Sequence, residues 1–129
     1  MEHIITSGVE GKMQITVTSD KTAIAYGSGT VEVFASPAMI ALMEQTAMES
    51  VAHLLPEAYT TVGTEVSVKH FKATLPGKAI ICNSRLIQVE GMKLLFEVTA
   101  CDDKGLIGKG THSRYIVDKH DFIDKLMKK

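Results

Sequence analysis

Three side chains in this sequence have the chemistry to attack or activate another group: the Ser36 hydroxyl, the Glu44 carboxylate and the His70 imidazole. Ser36 and Glu44 sit in one stretch with strong helix-forming character, and His70 sits in the extended run that follows it. A carboxylate in an apolar setting can serve as a general base or as a nucleophile. A hydroxyl beside an imidazole suggests a second arrangement, with the hydroxyl attacking and the carboxylate orienting the ring. The spacing of the three does not decide between them. Ser36 and Glu44 are eight residues apart, or about 12 Å along a helix axis, so they do not touch directly.

The elements that must position them follow from local chemistry. Ser36 reads as a helix N-cap, with Pro37 at the first helical position, where a missing N–H costs nothing. The run AMIALMEQTAMESVAHLL is rich in Ala, Leu and Met, and Pro56 stops it. The free N–H groups at the start of such a helix also suit a developing oxyanion. On a wheel of about 100° per residue, Ile40, Met43, Ala47, Met48, Val51, Leu54 and Leu55 form one broad apolar face. Gln45, Glu49 and His53 fall opposite. Glu44 falls near the middle of the apolar stripe, where a carboxylate is costly unless it is paired. The bland alternative is a glutamate at the margin of the stripe that turns its head into water.

Four extended runs follow the helix, at 61–72, 78–89, 92–101 and 106–118, and a short strand at 13–18 precedes it. The turn sequences around Gly91 and at Asp102–Gly105 predict a meander for the last three runs. Residues 19–35 read as a loop with some extended structure, and 121–128 as a short terminal helix. In the run at 61–72, Val62, Val66, Val68 and His70 share one parity, which predicts that His70 faces the helix with Glu44. A lone histidine on an apolar face is ordinarily a satisfied core residue; two ionisable residues that break period toward one interior favour chemistry. Gly108 and Gly110 mark a close approach or a bulge. Arg114 reads equally as a surface charge, and His112, of the same parity, is assigned no role.

The chain has 129 residues and a net charge of −1 from 14 basic and 15 acidic side chains. Its length suits one domain spanning 1–129, and its charge gives no pull toward nucleic acid or an anionic membrane. Cys82 and Cys101 form no CxxC pair, and no metal-ligand spacing is present. The N-terminal residues lack the pattern of a signal peptide, and no stretch is apolar enough to span a bilayer, so the expectation is a cytoplasmic protein. One helix followed by an antiparallel sheet is an α+β pattern, and dimerisation is one way to cover the exposed sheet edge.

Taken in order, VEVFASPAMIALMEQTAMESVAHLL, VGTEVSVKHFKATLPG and GKGTHSR resemble the hot-dog thioesterases of the fluoroacetyl-CoA thioesterase type, over roughly residues 30 to 118. The resemblance implies a hot-dog fold, with one long central helix wrapped by the sheet. It also implies a homodimer whose sheets join, and hydrolysis of a small acyl-CoA with coenzyme A entering only as part of the substrate and no other cofactor. It places Ser36, Glu44 and His70 at the family's hydroxyl, carboxylate and imidazole positions. Gly63 corresponds to a glycine near the acyl site, and Arg114 to a basic residue on the last strand, so both are expected to bind substrate, Arg114 at the acyl end or at the CoA phosphates. The segment Ala25–Thr30 lacks the phenylalanines that cover the acyl pocket in the fluoroacetyl-specific enzyme, and its small residues suit a more open pocket and a different acyl group. Two other readings share these features: a non-catalytic acyl-CoA-binding module, which has no need of Glu44, and a hot-dog hydratase or dehydratase, which ordinarily uses an Asp–His pair.

Overall fold

In the computed structural model, which describes residues 3–128, a five-stranded antiparallel sheet wraps around one long helix. The strands are β1 (Glu10–Thr16), β2 (Tyr59–His70), β3 (Ala79–Glu90), β4 (Lys93–Asp102) and β5 (Gly105–Asp118). The helices are α1 (Ala23–Tyr26), the long α2 (Ser36–Ala52) and α3 (Lys119–Met127). The strand order is β1-β3-β4-β5-β2, so the meander expected of the last three extended runs forms the middle of the sheet. Strands β1 and β2 are its two edges. A single turn of 3-10 helix (Ser19–Lys21) and α1 occupy the segment expected to be a loop.

Helix α2 packs into the concave face through a stripe that steps by four: Ala38 and Met39, Leu42 and Met43, Thr46 and Ala47, Ser50 and Val51 are buried. Against them lie Ile80, Cys82 and Leu86 of β3, Leu94, Phe96 and Val98 of β4, and Ile107 and Ile116 of β5, all in the same core cluster. This stripe is rotated from the one predicted by the helical wheel, because two of its members are polar. Thr46 and Ser50 become buried by donating their hydroxyls to the helix's own carbonyls, Thr46 to Leu42 O at 2.7 Å and Ser50 to Ala47 O at 2.6 Å. Ile40, Glu44 and Met48 then form a half-buried row along the margin. Glu44 is therefore not at the centre of the apolar face.

Two further expectations are corrected at this level. Ala35, not Ser36, is the N-cap: its backbone is extended and its carbonyl accepts from Met39 N at 3.0 Å. Ser36 is the first helical residue, and its hydroxyl caps nothing. In β2, a bulge between Gly63 and Glu65 leaves Thr64 as an extra residue, because Gly63 pairs with Arg114 while Glu65 already pairs with Ser113. The parity of inward-facing residues reverses there, so Val62 does not share a face with His70. Thr61 and Gly63 face the helix before the bulge; Val68 and His70 do so after it.

The small residues on β5 serve packing. A Cβ on Gly108 would lie 2.6 Å from the Met39 sulfur, and one on Gly110 would collide with the backbone of Ser67 and Val68. Of the two readings offered by the sequence, close approach is what these glycines provide.

Candidate active site

The five site residues expected from sequence fall into two groups at two ends of the helix–sheet junction. Ser36 and His70 form the first. The chain enters α2 through Phe34, whose N–H donates to Thr74 O at 2.8 Å, and Ala35, whose N–H donates to Lys21 O at 2.9 Å. This anchoring points the Ser36 side chain at the end of β2, where its Oγ lies 2.8 Å from His70 Nδ1. His70 is half-buried, and the edge of one ring meets the face of the other where it packs on Phe34, with centroids 6.2 Å apart and planes at 74°. Burial lowers the His70 pKa from its ordinary 6.5, so the ring is neutral at pH 7. Its Nε2 is buried with no hydrogen-bond partner among the described residues. A neutral ring in contact with a hydroxyl can take or return a proton. Beside the pair opens a cavity of about 280 Å³ lined by residues including Ala23, Ser28, Val33, Phe34 and Phe71.

Glu44, Gly63 and Arg114 form the second group, with His112. Strand β5 presents His112 and Arg114 on its helix-facing side, 1% and 6% exposed. Arg114 donates through Nε to Thr61 Oγ1 at 2.7 Å and through Nη2 to Thr61 O at 2.9 Å. Its Nη1 lies 3.0 Å from His112 Nε2 and 4.0 Å from Glu44 Oε1. Gly63, opposite Arg114 in the ladder, keeps the space between them open: a Cβ there would lie 2.7 Å from Glu44 Oε1. The Glu44 side chain is 40% exposed, so its carboxylate has a buried cation on one side and solvent on the other. Arg114 is thus not a surface charge.

Within one chain, the structure brings Ser36 to His70 and brings Glu44 to Gly63 and Arg114, but it does not bring Glu44 to either Ser36 or His70. The expected convergence of Glu44 and His70 is not formed. His112 is the residue that sequence reasoning passed over. Its parity with Arg114 on β5 was the available signal, and that parity places both on the interior face.

Among the described residues, no group of three His, Cys, Asp or Glu side chains is arranged to hold a metal ion. None of their helices is long and apolar enough to cross a membrane.

A family model described as FlK, fluoroacetyl-CoA-specific thioesterase, matches residues 17–120. The chain belongs to this thioesterase family. It is 36% identical over 98 residues to the fluoroacetyl-CoA thioesterase of Streptantibioticus cattleyicolor, across 76% of this chain and 70% of that one. The solved structure of the fluoroacetyl-CoA thioesterase FlK superposes with a TM-score of 0.90 at 30% identity, covering 97% of both chains. A hypothetical protein of Thermus thermophilus, a thioesterase superfamily member, superposes at 0.87 with 25% identity, over 97% of this chain and 92% of that one. The hot-dog fold expected from the sequence is therefore the fold observed, and the family's enzymes are thioester hydrolases.

Proposed function

We propose that this thioesterase hydrolyses a small acyl-CoA to the free acid and coenzyme A, with Glu44, His70 and Ser36 as its catalytic residues and Gly63 and Arg114 holding the acyl end. The observation that carries the reading is the Ser36–His70 contact of 2.8 Å beside a cavity of about 280 Å³. A hydroxyl joined to a neutral imidazole beside an open groove suits attack on a thioester carbonyl, and the similarity to fluoroacetyl-CoA thioesterases supports a small acyl group. Solved relatives include FlK variants in complex with acetyl-CoA and with fluoroacetate and CoA.

In the mechanism, Glu44 takes a proton from water, and the water oxygen bonds to the thioester carbonyl carbon. The carbonyl electrons move to oxygen and return as the C–S bond breaks. The departing thiolate takes up, by relay through His70, the proton that Glu44 took from water, which restores the Glu44 carboxylate, and Ser36 orients the acyl group. Glu44 attacking directly gives an acyl-enzyme anhydride, which water then opens, with the same overall balance. The 2.8 Å contact favours a second reading, in which His70 takes the Ser36 proton, Ser36 attacks, the thiol leaves with that proton as the C–S bond breaks, and water then opens the Ser36 ester.

The enzyme works as a homodimer joined through its open β2 edges, so that the separate groups of one chain meet those of a second copy. Strand β2 is long, lies at the edge and carries Gly63 and His70, one from each group, which supports this arrangement. Coenzyme A enters only as part of the substrate.

The test is thiol release from acetyl-, fluoroacetyl-, propionyl- and butyryl-CoA by the wild type and by Glu44→Gln, with the assembly mass measured for both. Turnover on a short acyl-CoA that falls about a hundredfold or more in an intact variant supports the reading. No turnover on any of them, or equal turnover in the variant, overturns it.

A further inference from the structure

His112 is a buried imidazole to which the mechanism above gives no part. It lies in the β5 ladder between Val66 on β2 and Phe96 on β4, and it is 1% exposed. Both ring nitrogens are engaged. Nδ1 is 2.8 Å from the Glu65 carbonyl oxygen, which can only accept, so Nδ1 carries a proton. Nε2 is 3.0 Å from Arg114 Nη1, which can only donate, so Nε2 presents its lone pair. Together the two contacts require one state: neutral, with the proton on Nδ1.

That state gives Arg114 a third fixed point. Its other two bonds, from Nε and Nη2, both end on Thr61 and leave the Nη1 side free to pivot. Nη1 is the atom nearest Glu44, at 4.0 Å. An acceptor at His112 Nε2 holds Nη1 back from closing into a direct bond with the carboxylate. His112 Nε2 itself lies 3.9 Å from Glu44 Oε1. The charged groups facing His112 are therefore Glu44 on α2 and Arg114 on β5; β2 offers only a backbone carbonyl.

We infer that His112 is a positioning residue, a neutral acceptor that fixes the Arg114 guanidinium at a set distance from Glu44 and so keeps the carboxylate free to act on water. The inference rests on the proposed role of Glu44.

Three proteins and two readouts test it. His112→Phe keeps a ring but removes the acceptor; His112→Gln restores an acceptor at about the reach of Nε2. On the best acyl-CoA, His112→Phe lowers kcat about tenfold or more with KM within twofold, and His112→Gln stays within about threefold of wild type. Nitrogen-15 NMR of the wild-type histidines, which needs no substrate, shows His112 neutral with its proton on Nδ1 at pH 7. A folded His112→Phe with wild-type kcat, an equal loss in both variants, or a proton on Nε2 overturns the proposal. Where His112→Phe does not fold, the Gln variant's kcat and the wild-type tautomer decide it. A wild type with no thioester turnover overturns the thioesterase reading instead, and the NMR result separates that failure from this one.

Discussion

Gly63 and Glu44 are so close that a single added carbon on the glycine would lie 2.7 Å from the carboxylate Oε1. That contact is with the far end of a flexible side chain, which can move aside, and the same carbon would lie 3.2 Å from Cε1 of the buried His112 ring, so Gly63→Ala displaces Glu44 and presses on His112. We expect kcat to fall about tenfold or more, through misplacement of the reacting group. The melting temperature should fall by proportionally less than kcat does, since the His112 ring needs to give by only a few tenths of an ångström. Steady-state kinetics alongside thermal unfolding check both halves; a large loss of stability would show that the glycine serves packing rather than the site.

Ser36 offers a sharper chemical test, because it contributes a hydroxyl and no helix cap. Ser36→Ala should leave stability within about 0.5 kcal/mol of wild type, as surface changes without a cap or core role do. Its kcat should fall about a hundredfold if the hydroxyl attacks, and less if the hydroxyl only orients. Ser36→Thr retains the oxygen and should retain most of the activity. Trapping of labelled acyl-CoA on wild type, followed by peptide mass analysis, identifies whether Ser36 or Glu44 carries an acyl group.

Arg114→Lys should be far from conservative. A lysine ammonium cannot reproduce three directed bonds to Thr61 and His112. The Thr61 and His112 acceptors are left in a buried setting, at a cost of about 2 kcal/mol. Urea unfolding measures the loss, and kcat should drop together with stability.

Stability should also depend on pH in a defined direction. Burial lowers the pKa of both His70 and His112 below 6.5. The unfolded chain then binds more protons than the folded one as pH falls through that region. The contribution of the neutral rings is complete above about pH 6.5 and is lost as pH falls through the folded-state values. Melting temperature should decline from pH 7 to pH 5, and the slope should be shallower in His112→Gln. A curve flat over that interval would contradict the assignment of two neutral imidazoles, one buried and one half-buried.

How much of this was readable before the structure depends on what kind of signal each residue emits. The strands were legible because Gly91 and Asp102–Gly105 punctuate runs of β-branched residues, and β3, β4 and β5 lie within a residue or so of their expected bounds. The interior of α2 was legible from its composition. The orientation of its buried face was not, since Thr46 and Ser50 count as polar on a wheel and are satisfied internally by their own helix. Ser36 reads from sequence as the helix cap, whereas Ala35 makes the first helical bond and leaves the Ser36 hydroxyl in contact with His70. The network of His112, Arg114 and Thr61 was illegible because each residue alone has an ordinary surface reading. Only the register between β2 and β5 puts them in one place.

The extra residue at Thr64 sets the phase of the edge strand. Upstream of it, odd-numbered positions look toward the helix; downstream, even-numbered ones do. Thr61 and Gly63 on one side and His70 on the other are compatible with a single interior only because of that offset. The same residues paired without the bulge would turn the imidazole out to solvent. A chain that also lacked Thr64 would carry its histidine one place earlier, on the interior face and with no bulge. In comparing such chains, the spacing between the glycine and the histidine carries as much information as the identity of either.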